Sequence, residues 1–509
     1  MGEHAEQIEP TRAGIRKGSS SFLSNVLTLG SASAIGQLIA IGTAPLVTRL
    51  FAPDAFGLAA VVGTLFVIVG PVATGKYDVA VSLPREDEKA ASLLGLALLI
   101  NALTTVAVAV ALLGFGTSLL HWLELEGLGR HALWILPLGI GLTGCTAALR
   151  AWHLRARRFR TLATSDVGQS AGTAGASIAA GVLGLVSGLD LTVSRLLVQA
   201  LIPFWLGGNL LRERRFLRAH WQVASLRAIA RRYADFPRYM VPTTLLNATS
   251  RGLPTLVLAS TFGPAVAGLF ALANRIVVMP SQLIGGSTAQ VLFQKVAEQQ
   301  AHERPSGPLL ELVVSRLARI ALLPATLLIA AGPPLFARCF GPEWEPAGEY
   351  ARVLAPWIVT LIVTSPLGAL WSVFERQRFA LVYNVVLLAL RLGGLALGAA
   401  WFDTPVAALA LFMAASVLCH LFTIGYLGRL AGVRFAPLVG DFLLWTAIAL
   451  ACAAIPWGAQ RFFAAGPWLF VGVALQILAF GLLVIALDGT LRDTLRTRIV
   501  RLGTLRSKP

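Results

Sequence analysis

About fourteen stretches of roughly twenty apolar residues recur along this 509-residue chain, far more than a soluble core can absorb. They fall near residues 22–47, 56–76, 90–115, 131–151, 162–188, 192–211, 239–260, 264–290, 309–331, 348–373, 379–400, 405–427, 438–457 and 466–488. In hydrocarbon every backbone group must find its partner inside the chain, so runs of this length read as spanning helices. The composition agrees: 56% of residues are hydrophobic and 13% charged, about half the usual charged share, and the mean hydropathy is +0.73. Soluble enzymes, secreted disulfide scaffolds and disordered chains are thereby excluded. The expected fold class is an all-α polytopic membrane protein with about fourteen transmembrane helices.

The charge then sets the orientation. A net charge of +17 suggests nucleic acid in a soluble chain, but membrane proteins gather Lys and Arg in cytoplasmic loops. With both termini placed inside, thirty-three of the 42 Lys and Arg lie in eight cytoplasmic segments, eight of them between Arg212 and Arg238. The opposite face holds Arg49, Arg130, Arg338, Arg352 and Arg461. So lopsided a split is hard to obtain from a wrong topology, and it spreads the basic residues too widely for a nucleic-acid stripe. The expected location is the bacterial inner membrane, with both termini cytoplasmic.

An internal repeat organises the spans. Phe51-Ala52-Pro53-Asp54-Ala55-Phe56-Gly57-Leu58 and Phe262-Gly263-Pro264-Ala265-Val266-Ala267-Gly268-Leu269 share the pattern F-x-P-x-x-x-G-L at an offset of 211 residues. Pro begins the returning helix at a position where its missing N–H costs nothing. The offset carries the first span onto the seventh, so six helices recur in the same orientation, as parallel repeats do. The expected domains are a cytoplasmic tail (1–21), an N-lobe (22–211), a basic linker (212–238), a C-lobe (239–427), two further helices (428–488) and a basic tail (489–509). Two parallel six-helix lobes around a central cavity form a transporter architecture.

Motifs for covalent chemistry are missing. Outside loops are too short for folded catalytic domains, so no enzymatic activity is expected. Gly139-Ile140-Gly141-Leu142-Thr143-Gly144 matches a nucleotide-binding pattern but lies within a span with no preceding strand. Gly172, Ala176, Ala180 and Gly184 form a small-residue stripe suited to close helix packing. His121, Glu124 and Glu126 are too sparse for a metal site, and Cys145, Cys339, Cys419 and Cys452 show no ligand spacing. No metal or cofactor is expected.

The residues that demand a role are charges where lipid should be. Arg251, Arg275 and Arg391 lie near the middle of their spans, and each costs roughly 2.5–3.5 kcal/mol if it faces lipid. Asp166 is the one carboxylate clearly within a span, so the arginines outnumber their counter-charges and an anionic guest is expected. The alternative is that each ties a neighbouring helix through backbone carbonyls. Polar neighbours favour a cavity: Asn247 beside Arg251, Asn274 beside Arg275, and Asn25 and Gln37 in the first span. Arg195, at the outer margin of its span, is less informative because it can snorkel. Lys76 and Asp78 are a candidate gate pair, with Arg49 as a further gate candidate.

The segments Ser24–Ser31, Pro45–Pro53, Phe56-Gly57, Lys76-Tyr77-Asp78 and Leu83-Pro84 resemble the polysaccharide transporter family, oligosaccharide flippases of the multidrug/oligosaccharidyl-lipid/polysaccharide exporter superfamily. The resemblance is clearest over residues 20–100. It implies a flippase moving undecaprenyl-pyrophosphate-linked glycan (an O-antigen, exopolysaccharide or capsule repeat unit) from the cytoplasmic to the periplasmic leaflet by alternating access. Arginines suit a pyrophosphate, which accepts charge-assisted and often bidentate hydrogen bonds. Rival readings are a peptidoglycan-precursor flippase and a small-molecule or drug exporter of the same superfamily. Expected partners are the lipid-linked glycan, membrane lipids and a glycan polymerase or export machinery, with the protein itself a monomer and no nucleic acid bound.

Overall fold

The computed structural model describes residues 30–122, 126–208, 210, 221, 223–462 and 467–487. Fourteen long helices cover most of them, one for each apolar run. They are α1 (Gly30–Leu50), α2 (Pro53–Val69), α3 (Asp87–Trp122), α4 (Ala132–Arg155), α5 (Phe159–Val182), α6 (Gly188–Gly208) and α7 (Val241–Phe262), followed by α8 (Pro264–Ala301), α9 (Gly307–Phe340), α10 (Glu345–Leu367), α11 (Gln377–Phe402), α12 (Pro405–Ala431), α13 (Phe435–Phe462) and α14 (Trp468–Leu487). Twelve of these regions are long and apolar enough to cross a membrane, so the chain is a multi-pass membrane protein. The two that fall short are α5 and α7, whose hydroxyl and amide side chains lower their hydropathy. No strand occurs among the described residues. Asn25, Glu124, both terminal tails and residues 211–220 lie outside them.

The chain divides into two compact units, the first ending at Gly268 and the second beginning at Leu269. The boundary at 239 suggested by the repeat therefore differs from the division in space by α7, which packs with the first unit. Gly252 of α7 lies where an added Cβ would come within 2.6 Å of Thr64 and 3.0 Å of Ile68 on α2. The repeated motif supplies a second lock. A Cβ on Gly57 would run into the Pro264 carbonyl and come within 2.9 Å of the Gly268 nitrogen; one on Gly268 would run into the Pro53 carbonyl and lie 2.7 Å from the Gly57 nitrogen. Each glycine thus meets the other copy of its own motif, and a side chain at either position would separate the two helix starts.

Elsewhere in the first unit the small residues explain themselves by what they touch. A Cβ at Gly141 would lie 2.6 Å from the Thr105 hydroxyl, Gly139 faces the Phe66 ring, and Gly144 faces Asn101, whose amide donates to the Gly141 carbonyl at 2.8 Å. The glycine-rich run in α4 is therefore a packing surface. Gly172 lets Val198 of α6 approach, but Gly184 does not continue that stripe: at φ +79° it ends α5, with the Leu185 N–H returning to the Ala180 carbonyl. The basic segment before α7 is partly helical (Val223–Arg232) and docks rather than spans open space: Ile229 is buried against α3, Ser225 and Ser92 share a 2.8 Å hydrogen bond, and Trp221 donates to the Ala91 carbonyl. Arg227, Arg231 and Arg232 stay exposed on its outer face.

In the second unit, α9 and α10 meet where Gly332 and Gly348 press backbone to backbone, and α11 crosses α12 at Gly394 and Gly398. Both crossings replace side chains by glycine, the usual way for helices to approach in a membrane. Arg319 of α9 forks onto Asp441 of α13 at 2.6 and 3.2 Å, lies over Trp445 at 5.0 Å, and shares the carboxylate with Ser315. An apolar cavity of about 240 Å³ lies beside this cluster, lined by residues of α9, α10, α12 and α13. The closing helix α14 braces α9 through Gln476, which donates to Thr326 at 3.2 Å.

Candidate functional site

The arginines singled out in the sequence fall into different settings. Arg251 and Asn247, one helical turn apart on α7, share an exposed face, while Ala248, Gly252, Thr255 and Leu256 turn inward. Arg275 on α8 is likewise exposed, between buried Ala273 and Val277, with Asn274 half-buried beside it. Arg391 differs. It is only 8% exposed; its Nε donates to the Ser416 hydroxyl at 2.8 Å, and its guanidinium lies 5.3 Å from the Trp357 ring centre and 5.2 Å from that of Phe412. The rings and hydroxyl supply what a buried guanidinium needs, so this arginine ties α11 to α10 and α12. His420, buried one turn beyond Ser416, bonds Thr360 at 3.2 Å and completes the same polar seam.

The gate candidates do not pair. Lys76 takes a left-handed φ of +62° ahead of the short helix Tyr77–Ala80, while Asp78 turns inward and accepts from the Thr74 hydroxyl at 2.6 Å. Buried Tyr77 donates to the Ala230 carbonyl at 3.3 Å, fastening this turn to the docked basic helix. Arg49 is exposed on the last turn of α1.

The structure also reveals a polar cavity that the sequence did not disclose. Inside the first unit α2, α4, α5 and α6 enclose about 530 Å³, lined by Arg150, Arg195, Gln169, Gln199, four threonines (143, 146, 173 and 192) and an apolar wall that includes Phe66. Arg150 forks onto Asp166, with Nη1 toward Oδ1 and Nη2 to Oδ2 at 3.2 Å. Arg195 lies over the Phe56 ring at 5.1 Å. Gln199 donates to the Thr143 hydroxyl at 2.7 Å and the Gly139 carbonyl at 3.2 Å. A second cavity, of about 320 Å³, is lined by Gln37, Ser33, Asp166, Ser170 and the same Gln169. Gln37 thus lies against a cavity, its Oε1 buried without a hydrogen-bond partner. The sequence placed Arg195 at a span margin and gave no reason to join it to Arg150. Only the packing of four helices brings them together, and the signal available beforehand was the polarity of α5.

A helical bundle that crosses the membrane many times and keeps polar cavities inside its first unit has the architecture of a membrane transporter. The family model described as polysaccharide biosynthesis protein matches residues 46–349, and the chain belongs to that family. In fold it is similar to a lipid II flippase, MurJ, in an inward closed conformation: the TM-score is 0.73 at 11% identity, covering 92% of this chain and 99% of that one. It is also similar to an inward-facing multidrug resistance transporter of the MATE family in the MOP superfamily, with a TM-score of 0.55 at 14% identity over 82% of this chain and 96% of that one. No curated protein matches it in sequence.

Proposed function

We propose that this protein moves a lipid-linked oligosaccharide, carried on undecaprenyl pyrophosphate, from the cytoplasmic to the periplasmic leaflet of the bacterial inner membrane by alternating access, with both termini cytoplasmic and without breaking a covalent bond. The family assignment supplies the glycan context. The observation that carries the reading is Arg251, an exposed guanidinium near the middle of α7, a helix with no acidic residue, and accompanied on its face by Asn247. Such a charge is stable only against water or an anion. Arg275, on the second unit, offers the same chemistry, and we assign each by itself as a candidate pyrophosphate contact. The apolar cavity beside Arg319 and Asp441 suits a segment of the polyprenyl chain.

The test is transfer of a fluorescent undecaprenyl-pyrophosphate oligosaccharide between the leaflets of liposomes holding the purified protein, with lipid II in a parallel arm. The glycan lipid should change leaflet and be recovered chemically intact. Arg251→Ala and Arg275→Ala should each weaken lipid binding by roughly 10–150-fold, the loss of one hydrogen bond to a charged group. Preferred transfer of lipid II would move the assignment to the peptidoglycan precursor. Hydrolysis of the glycan lipid by pure protein, or normal transfer by both folded variants, would overturn it.

A further inference from the structure

The basic segment between α6 and α7 is fastened at several points, and its charge has no part in the pyrophosphate reading. Its helix, Val223–Arg232, turns Leu226, Ile229 and Ala230 onto the core of the first unit. Three polar contacts fix its rotation: Ser225 shares a 2.8 Å hydrogen bond with Ser92, the Tyr77 hydroxyl donates to the Ala230 carbonyl at 3.3 Å, and the Trp221 indole, just ahead of the helix, donates to the Ala91 carbonyl at 2.9 Å. With that face engaged, Arg227, Arg231 and Arg232 are exposed on the other, and Arg238 is exposed shortly after. The Arg232 guanidinium lies 5.9 Å from the Tyr233 ring centre, and that of Arg238 5.4 Å from the ring centre of exposed Tyr239. Residues 223–240 hold these four arginines against a single acid, Asp235. Arg227 and Arg231 stand one turn apart, a spacing at which like charges repel. A helix that is held fast and keeps like charges together wants an anion from outside the chain.

The height of the helix indicates which anion. Ala91 and Ser92, where it docks, open the apolar run of α3 directly after Asp87, Glu88 and Lys89. The arginines therefore stand at the level where hydrocarbon gives way to headgroups, and exposed Trp221 and Tyr239 are residue types of that level. A water-soluble acidic protein or a nucleic acid would first have to displace the headgroups there. Orientation in the membrane asks only that a loop carry positive charge; it does not ask that the charge be gathered on one face of a docked helix. We propose that this helix is a binding surface for anionic phospholipid headgroups, with Arg227, Arg231 and Arg232 as the contacts that hold the link between α6 and α7 against the leaflet. Attraction to an anionic surface is worth roughly fivefold in affinity for each arginine near it. The surface is independent of the cargo and takes from the transport reading only that this face is cytoplasmic.

The test is amide hydrogen exchange of the intact chain in nanodiscs of phosphatidylglycerol or of phosphatidylcholine with identical acyl chains. Exchange across residues 223–232 reports opening of the docked helix. In the wild type it should be at least fivefold slower in the anionic lipid, while the core of α3 exchanges alike in both. Arg227→Gln, Arg231→Gln and Arg232→Gln made together should erase the difference between the lipids. The triple replacement by lysine should keep most of it, because attraction to a charged surface does not need the guanidinium fork. Equal exchange of the wild-type helix in the two lipids, or a difference that survives in the glutamine variant, would overturn the proposal. A third arm adds poly-L-glutamate to the phosphatidylcholine nanodiscs: slowing by the polymer in a helix indifferent to phosphatidylglycerol would assign the surface to an acidic protein and overturn the lipid. Both faces of a nanodisc carry the same lipid, so an inverted orientation, or failure of glycan transfer, would count against the transport reading and leave this result unchanged.

Discussion

Each unit contains an arginine enclosed by its own helices, and the two are solvated in opposite ways. In the first unit Arg195 and Arg150 border an open polar cavity, and Arg150 forks onto Asp166. In the second, Arg391 is packed between two aromatic faces and a serine. The sequence shows the same residue type in both, on predominantly apolar helices. The contrast teaches that depth in a span alone does not make an arginine a ligand contact; the neighbouring helices decide, by offering either rings or space.

The largest expected effect tests the sealed side. Arg391→Ala removes a hydrogen bond from a charged group and two cation–π contacts, a loss of about 3 kcal/mol. It should show as a lower melting temperature in detergent and a lower yield, while protein that survives folded transfers glycan lipid normally. A stable Arg391→Ala variant that fails to transfer would restore the reading of this residue as a ligand contact and erase the contrast between the units.

A second, smaller effect moves the test from side chains to backbone. Gly57→Ala and Gly268→Ala each place a methyl group against the other copy of the repeated motif, where the nearest nitrogens lie 2.9 and 2.7 Å away. Overpacking of this kind costs about 1–3 kcal/mol. Since each glycine meets the other, the double variant should cost much less than the sum of the single ones, and melting of the three proteins side by side measures this. Full additivity would mean that the two motifs do not bear on each other.

Much of the fold was legible because membrane helices are specified by length and hydropathy, which are local properties. Every apolar run has its long helix, and the repeated motif marked two helix starts whose glycines proved to meet. What stayed hidden depends on which helix faces which. The association of α7 with the first unit follows from Gly252, whose importance lies in the approach of Thr64 and Ile68 and leaves no trace in its own neighbours along the chain. Arg391 looked like Arg251 because Ser416, 25 residues on, and Trp357, 34 residues back, are brought beside it only by packing. Asp78 and Lys76 looked like a pair because they are close in sequence, yet Thr74 claims the acid. The reverse error hid the cavity, since Arg150 and Arg195 belong to different helices and each had an ordinary explanation by itself.

The smallest expected effect is the most discriminating, because both units contain an arginine forked onto an aspartate. Arg150 and Asp166 lie at the polar cavity of the first unit, and Arg319 and Asp441 at the apolar cavity of the second. Asp166→Asn retains the shape but loses the charge, leaving Arg150 with a weaker partner and a larger share of its field directed into the cavity. If the oxyanion of the glycan lipid competes with Asp166, the variant should bind that lipid up to about tenfold more tightly, a gain of 1.4 kcal/mol. The cost in stability should be on the order of 1 kcal/mol, as for other partly exposed ion pairs. Asp441→Asn should lose comparable stability and gain no affinity, because the cavity beside it is apolar. Equal affinity for the glycan lipid in Asp166→Asn and the wild type would show that Asp166 fixes the position of Arg150 without competing for it.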